Sequence, residues 1–252
     1  MNQRFISCRK AIYHASVFHV QSTYHSLNCC SYLIKFKWCD TMNNYRTVKK
    51  GAYDEFVDKK SRFIGYVKPV ACEDEAIEFI NAVRKKHSDA THNCYAYIVR
   101  DNNIMRYSDD GEPAGTAGMP ILDVLRKEEL TDVCVVVTRY FGGTLLGTGG
   151  LVRAYTKGAQ VGLDAAERIE KLFCNIYSVK CDYSAMGSLQ YAIQEDGEYI
   201  LKDTLFTDSV EFIVYVKTPD ANRFEKMIEN KTAGQVKPEI ISTEFIDKEI
   251  KD

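Results

Sequence analysis

The stretch from Val133 to Tyr155, VCVVVTRYFGGTLLGTGGLVRAY, restricts the fold of this chain more than any other. Residues 133–137 are four valines and a cysteine with no polar alternation, so the strand they form must be covered on both faces. Five glycines follow within the 141–150 loop: Gly142, Gly143, Gly147, Gly149 and Gly150. Glycine accepts positive φ and close backbone approach, so such a loop can turn several N–H groups toward one anion. A helix over 151–168 comes next, and its N-terminus adds about half a positive charge at the same corner.

The named phosphate cradles do not fit. A Walker loop on Gly142 and Gly147 requires Lys at 148, where Thr148 stands; a dinucleotide fingerprint on Gly147 and Gly149 requires Gly or Ala at 152, where Val152 stands. The helix divides into two stripes. Leu151, Ala154, Tyr155, Gly158, Ala159 and Gly162 share one face, and their small size predicts close packing on a sheet. Arg153, Lys157, Gln160, Asp164 and Glu167 form the outer stripe, with cations toward the N-terminal end and acids toward the C-terminal end. That order opposes the helix dipole by roughly 0.3–1 kcal/mol per charge. It makes sense if Arg153 and Lys157, with Arg139 on the strand, join the loop amides around an anion. The competing reading is a solvated stripe whose unfavourable term is screened.

Elsewhere the pattern alternates between strands and helices. Strands are expected at 62–70, 94–99, 104–107 and 133–140, an amphipathic helix at 72–87, and a helix at 121–129 with Pro120 in its first turn. Beyond a boundary near 169–172 the order becomes strand 173–181, helix 184–195, strands 198–206 and 209–217, helix 219–230 and strand 236–246. That is βαββαβ, the ferredoxin-like order, with helices on one face of an antiparallel sheet. The expected fold class is therefore α+β, in two domains at 42–168 and 172–252.

Composition narrows the function. With 45% apolar and 12% aromatic residues the chain can bury a substantial core, and no run approaches the ~18–20 apolar residues that span a bilayer. Nine cysteines, an odd number without CxxC spacing, and no signal-like leader predict reduced thiols in a cytoplasmic protein. Residues 1–41 carry Arg4, Arg9, Lys10, Lys35 and Lys37 against Asp40, a net +4; subtracted from −2 for the whole chain, this leaves −6 for residues 42–252. A body at −6 is a poor general polyanion binder, so any nucleic-acid contact must be local.

The first 41 residues lack periodicity, glycine and proline. His25, Cys29, Cys30 and Cys39 invite a metal reading, but their spacing matches no usual zinc pattern. A transit peptide is a second reading, and the third, preferred here, is an unstructured or upstream extension with the true start at Met42. In the 108–118 loop, Asp109, Asp110 and Glu112 are candidate Mg²⁺ ligands beside a phosphate. The plain alternative is that Asp-Asp-Gly and Glu-Pro are turn chemistry. His87 and His92 with Cys94 suggest a base and a nucleophile, yet no glycine elbow or orienting acid accompanies them, and core or surface roles are expected.

Three segments, Lys59–Gly65 (KKSRFIG), Asp109–Leu122 (DDGEPAGTAGMPIL) and Thr138–Tyr155, together resemble the Impact family in its bacterial YigZ-like form, over about residues 45–168 and on through 252. The resemblance implies a first domain like domain 2 of ribosomal protein S5 and a second like the C-terminal domain of elongation factor G. It also implies a role in translation, which eukaryotic members regulate through protein contacts. The expected function is a non-enzymatic translation-associated factor that binds RNA, a ribosome or a regulatory protein through Arg139, Gly142, Gly143, Gly147, Gly149, Gly150, Arg153 and Lys157. No cofactor, DNA or membrane partner is expected. The alternatives are a metal-dependent enzyme acting on a phosphorylated small molecule, and a protein-binding scaffold.

Overall fold

The structure, a computed structural model, describes residues 43–250. The expectations placed on 1–41, with the His25, Cys29, Cys30 and Cys39 site and the start at Met42, lie outside the described residues. Among the described residues no helix is long and apolar enough to cross a membrane.

The described chain opens with a short strand, β1 (Tyr45–Val48), and then builds the first sheet from β2 (Ala52–Asp58), β3 (Ser61–Pro69), β4 (His92–Val99), β5 (Ile104–Ser108) and β6 (Val133–Tyr140). Their spatial order is β2-β3-β6-β4-β5, antiparallel throughout. Three helices cover this sheet: α1 (Glu73–Lys86), α2 (Gly118–Lys127) and α3 (Thr148–Ala166). Val133, Val135 and Val137 face the core shared with α2 and α3, while Cys134 and Val136 face the core shared with α1. This double covering is what the uninterrupted apolar run demanded. Helix α1 carries Glu73, Asp74 and Glu75 in its first turn and Arg84, Lys85 and Lys86 in its last, the order the dipole favours.

The two stripes of α3 fall where the sequence put them. Leu151, Ala154, Tyr155, Gly158, Ala159 and Gly162 are buried, and Arg153, Lys157, Gln160, Asp164 and Glu167 are exposed. The small face allows backbone contact: a Cβ on Gly65 would lie 1.9 Å from the Gly158 carbonyl oxygen.

The second sheet follows without a linker. Helix α3 ends at Ala166, and β7 (Arg168–Cys181) starts two residues later, so residues 169–172, expected as a boundary, lie inside a strand. After β7 come α4 (Tyr183–Glu195), β8 (Ile200–Phe206), β9 (Val210–Lys217), α5 (Ala221–Lys231) and β10 (Glu239–Glu249), the expected βαββαβ order. β7 pairs with β10 along one edge and with β9 along the other, and β8 lies outside β9. Leu189 and Ile193 of α4 and Phe224 and Ile228 of α5 pack with Tyr177, Val179, Phe212 and Val214 of the strands.

Two strands escaped the sequence reading. β2 is an acidic edge strand (AYDEFVD) without a clean two-residue alternation, held by its backbone pairing to β3. β1 pairs with residues 168–171 of β7 and so belongs to the second sheet. The Thr131 N–H donates to the Arg46 carbonyl, and the Tyr45 ring lies against the Arg100 guanidinium, which tie the same strand to the first sheet's loops. A four-residue strand completed only by distant partners has no local signature.

Candidate anion and partner-binding loop

Gly147 is the N-cap of α3, at φ 73° and ψ 165°. Only glycine occupies that region readily, and it turns the loop sharply into the helix. Gly142 is required for a different reason: a Cβ there would stand 2.0 Å from the Lys60 carbonyl group. Between them the loop is exposed except for Leu146, which anchors it in the core. Gly143 is open, Gly149 sits exposed in the first helical turn, and Gly150 is buried against Leu146.

The helix start carries no acid in its first turn and no side-chain cap. Helix α2 is arranged differently, because the Asp109 carboxylate accepts from the N–H groups of Gly115, Ala117 and Gly118 at 2.8–3.0 Å. Arg153 lies over the α3 start, its Nη1 3.9 Å from where a Gly149 Cβ would be, and among the described residues it makes no ion pair. Lys157 stands one turn further along, its Nζ 4.5 Å from the Phe56 ring centroid. Around this corner three apolar side chains are exposed: Phe141, Val152 and above all Leu145, at 83%. The sequence reading weighed the glycines and cations and missed these apolar neighbours, although Leu145 stands between loop glycines in plain view.

Arg139 does not join the exposed set. It is 6% exposed, and its Nη1 donates to Glu112 Oε1 at 2.5 Å. Strand β6 continues to Tyr140, so Arg139 leaves a covered part of the sheet toward the core shared with Tyr155. The acids at the far end of α3 also have partners: Asp164 pairs with Arg168, and Glu167 with Lys49 and Lys50. The reversed charge order of the helix is therefore offset locally and does not by itself call for an anion.

The candidate metal ligands do not converge. The Asp109 carboxylate caps α2; that of Asp110 accepts from Arg84 Nη2 and the Asn93 N–H, both at 2.7 Å; that of Glu112 accepts from Arg139 and from the Tyr155 hydroxyl at 2.8 Å. No group of three or more His, Cys, Asp or Glu suited to a metal ion exists among the described residues. Each carboxylate of the DDGE segment is instead engaged in its own hydrogen bonds within the protein.

Cys94 belongs to the core of the first sheet. It is fully buried, its thiol lies 3.0 Å from the Asp109 carbonyl oxygen, and burial pushes its pKa far up. His87 touches Tyr66 and Tyr140 instead of Cys94. Burial likewise pushes the Tyr155 phenol far up, so it remains a neutral donor to Glu112.

The comparisons with known proteins fit this α+β arrangement. The Impact N-terminal domain family matches residues 59–163, and a domain of unknown function, DUF1949, matches residues 179–235. The chain is 42% identical over 195 residues to IMPACT family member YvyE of Bacillus subtilis, covering 77% of this chain and 89% of that protein. It is 39% identical over 149 residues to IMPACT family member YigZ of Escherichia coli, covering 58% and 73% respectively. Protein IMPACT-A of Xenopus tropicalis is 36% identical over 100 residues, 37% of this chain and 31% of that protein. A solved structure described as a crystal structure of a hypothetical protein superposes with a TM-score of 0.50 at 29% identity, covering 80% of this chain and 98% of that one. The chain belongs to the IMPACT family.

Proposed function

We propose that this chain is a non-enzymatic, translation-associated factor that docks on a ribosomal or regulatory protein through the 141–153 corner. Its two parts, 42–168 and 172–252, take the S5 domain 2-like and ferredoxin-like roles that the family resemblance implies. The observation that carries the reading is the exposed Leu145 at the tip of a loop whose base is fixed by Gly142 and Leu146. With Phe141 and Val152 also exposed in the same segment, Leu145 gives the corner several apolar side chains in water, the feature that marks an interaction surface. Val152 in the first turns of α3 lines a groove of about 310 Å³ between α2 and α3, walled also by Met119, Pro120 and Val124. Residues 141–153 hold a single cation, Arg153, in a body of net charge −6, which favours a protein surface over a polyanion.

RNA is the second reading, and Arg153 beside the acid-free start of α3 is the observation that favours it. Sedimentation of the protein with ribosomes across a salt series, with Leu145→Asp and Arg153→Glu variants, separates the two. Docking on protein predicts loss with Leu145→Asp and a shallow salt dependence. RNA contact predicts loss with Arg153→Glu and a salt slope lower by about 0.7–0.9 in the variant. Retained association in both variants sinks the loop as the docking site.

A further inference from the structure

The second sheet ends on β8, whose outer side has no strand beside it among the described residues. An open edge is a template for pairing with another chain, and proteins ordinarily guard it with charge. The other outer strands do so: β2 carries Asp54, Glu55 and Asp58, β5 carries Arg106, and β10 carries Asp247 and Lys248. β8 (ILKDTLF) is different, because its two charges are engaged within its own chain. Lys202 Nζ lies 3.6 Å from Glu244, and the Asp203 carboxylate accepts from the Thr204 N–H at 2.8 Å. Around them Ile200, Leu205 and Phe206 stand in water, 48%, 44% and 58% exposed. Helix α4 continues the same surface, since residues 183–194 contain no charged side chain. Tyr183, exposed, and Met186, partly buried, share one flank of the helix. The Tyr183 hydroxyl donates to the Thr207 carbonyl at 2.7 Å, which sets that flank beside the end of β8.

We propose that a second copy of this chain binds this edge, β8 pairing antiparallel with β8 about a two-fold axis at Leu205. The contact joins two five-stranded sheets into one continuous sheet. Pairing about such an axis keeps each face of the sheet on its own side. Residues 203–206 pair regularly with β9, beyond the bulge between Leu201 and Asp203, so this stretch offers a straight edge. Leu205 stands opposite Glu211, on the face away from the helices, and there it meets Leu205 of the other copy. Thr204 and Phe206 stand opposite Phe212 and Val210 of the helix-covered core, and on that face each meets the other across the axis. Charge selects the occupant. Residues 42–252 carry −6, so copies of the chain repel, and an uncharged, self-matching edge is where they can meet. In this register Lys202 and Asp203 fall beyond the end of the facing strand, and no like charges are opposed. The interface involves neither Leu145 nor the first sheet.

The test is sedimentation equilibrium of the full chain between about 1 and about 100 μM, with Leu205→Lys, Leu205→Glu and their equimolar mixture. The wild type is expected to show a reversible monomer–dimer equilibrium in that range. Leu205→Lys opposes two cations across the axis, yet within its own sheet it stands opposite Glu211. It is therefore expected to keep the wild-type thermal melt and to weaken the dimer about tenfold or more. Leu205→Glu is expected to weaken the dimer as well, and mixing the two variants, which sets opposite charges face to face, should restore it. Leu145→Asp is expected to dimerise like the wild type. A wild type that stays monomeric at the highest concentration, as it would if the edge served a different protein, overturns the proposal. So does an undiminished dimer in folded Leu205→Lys, or a mixture no more dimeric than either variant alone.

Discussion

Arg139 and His92 stand opposite each other on neighbouring strands, yet only Arg139 reaches Glu112: 2.5 Å against 3.8 Å. Glu112 is thus a buried carboxylate whose close cation is Arg139. Arg139→Met leaves that charge uncompensated and is expected to cost about 3–5 kcal/mol of stability. Adding Glu112→Gln, which keeps an acceptor for Tyr155, should recover part of the loss. Urea denaturation of the single and double variants measures both, and a double variant less stable than Arg139→Met contradicts the pairing.

The glycines separate into those the backbone requires and those it does not. Gly147→Ala places a side chain in the glycine-only region at φ 73° and should cost on the order of 1–3 kcal/mol. Gly149 stands in the first helical turn with open space around it, so Gly149→Ala should leave thermal stability unchanged or slightly raised, by up to about 1 kcal/mol. Equal melting shifts for the two variants contradict this geometry.

His87 predicts a pH dependence. Its position is directional: Tyr140 donates to Asp89, accepts from His87 Nδ1–H, and leaves Nε2 to accept from the Tyr66 hydroxyl. Burial first, then the Lys86 charge, lowers its pKa below the ordinary value. The unfolded chain therefore takes up a proton at a higher pH than the folded one. Stability from this group is fully present above about pH 6.5 and is lost as pH falls from there through the lowered native value. Urea midpoints between about pH 7.5 and 5 should fall less in His87→Gln than in the wild type. Identical slopes in the two proteins contradict a neutral, buried His87.

Strand β1 predicts a mechanical role. Its pairing with β7 and its contacts at Thr131 and Arg100 join both sheets. Tyr45→Ala removes the ring that lies on Arg100 and meets Phe245 edge-on. Hydrogen exchange should then rise at residues 168–171 and 130–132 together. A rise confined to one of the two segments contradicts the joining role.

How much of this was legible in the sequence depended on whether its cause was local. The 133–137 strand, both stripes of α3 and the βαββαβ order follow from spacing alone, and the structure has each of them. β1 and β2 stayed hidden because an edge strand and a four-residue strand take their stability from distant backbone partners. The start of α3 at Thr148 was read three residues late, since glycines normally argue against helix and here sit in its first turn. Arg139 was legible as a cation at the loop, but its burial depends on Glu112, twenty-seven residues away in sequence. Leu145 needed only the expectation that the loop is exposed.

The central claim is that the 141–153 corner is the docking surface. It is tested most directly by a photo-crosslinking residue placed at Leu145 in living cells, with the crosslinked species identified by mass spectrometry. Docking through this loop predicts discrete crosslinks from position 145 to ribosomal or translation-regulatory proteins, and none from a control at exposed Tyr191 on α4. Crosslinks from the Tyr191 control with none from position 145 would contradict it.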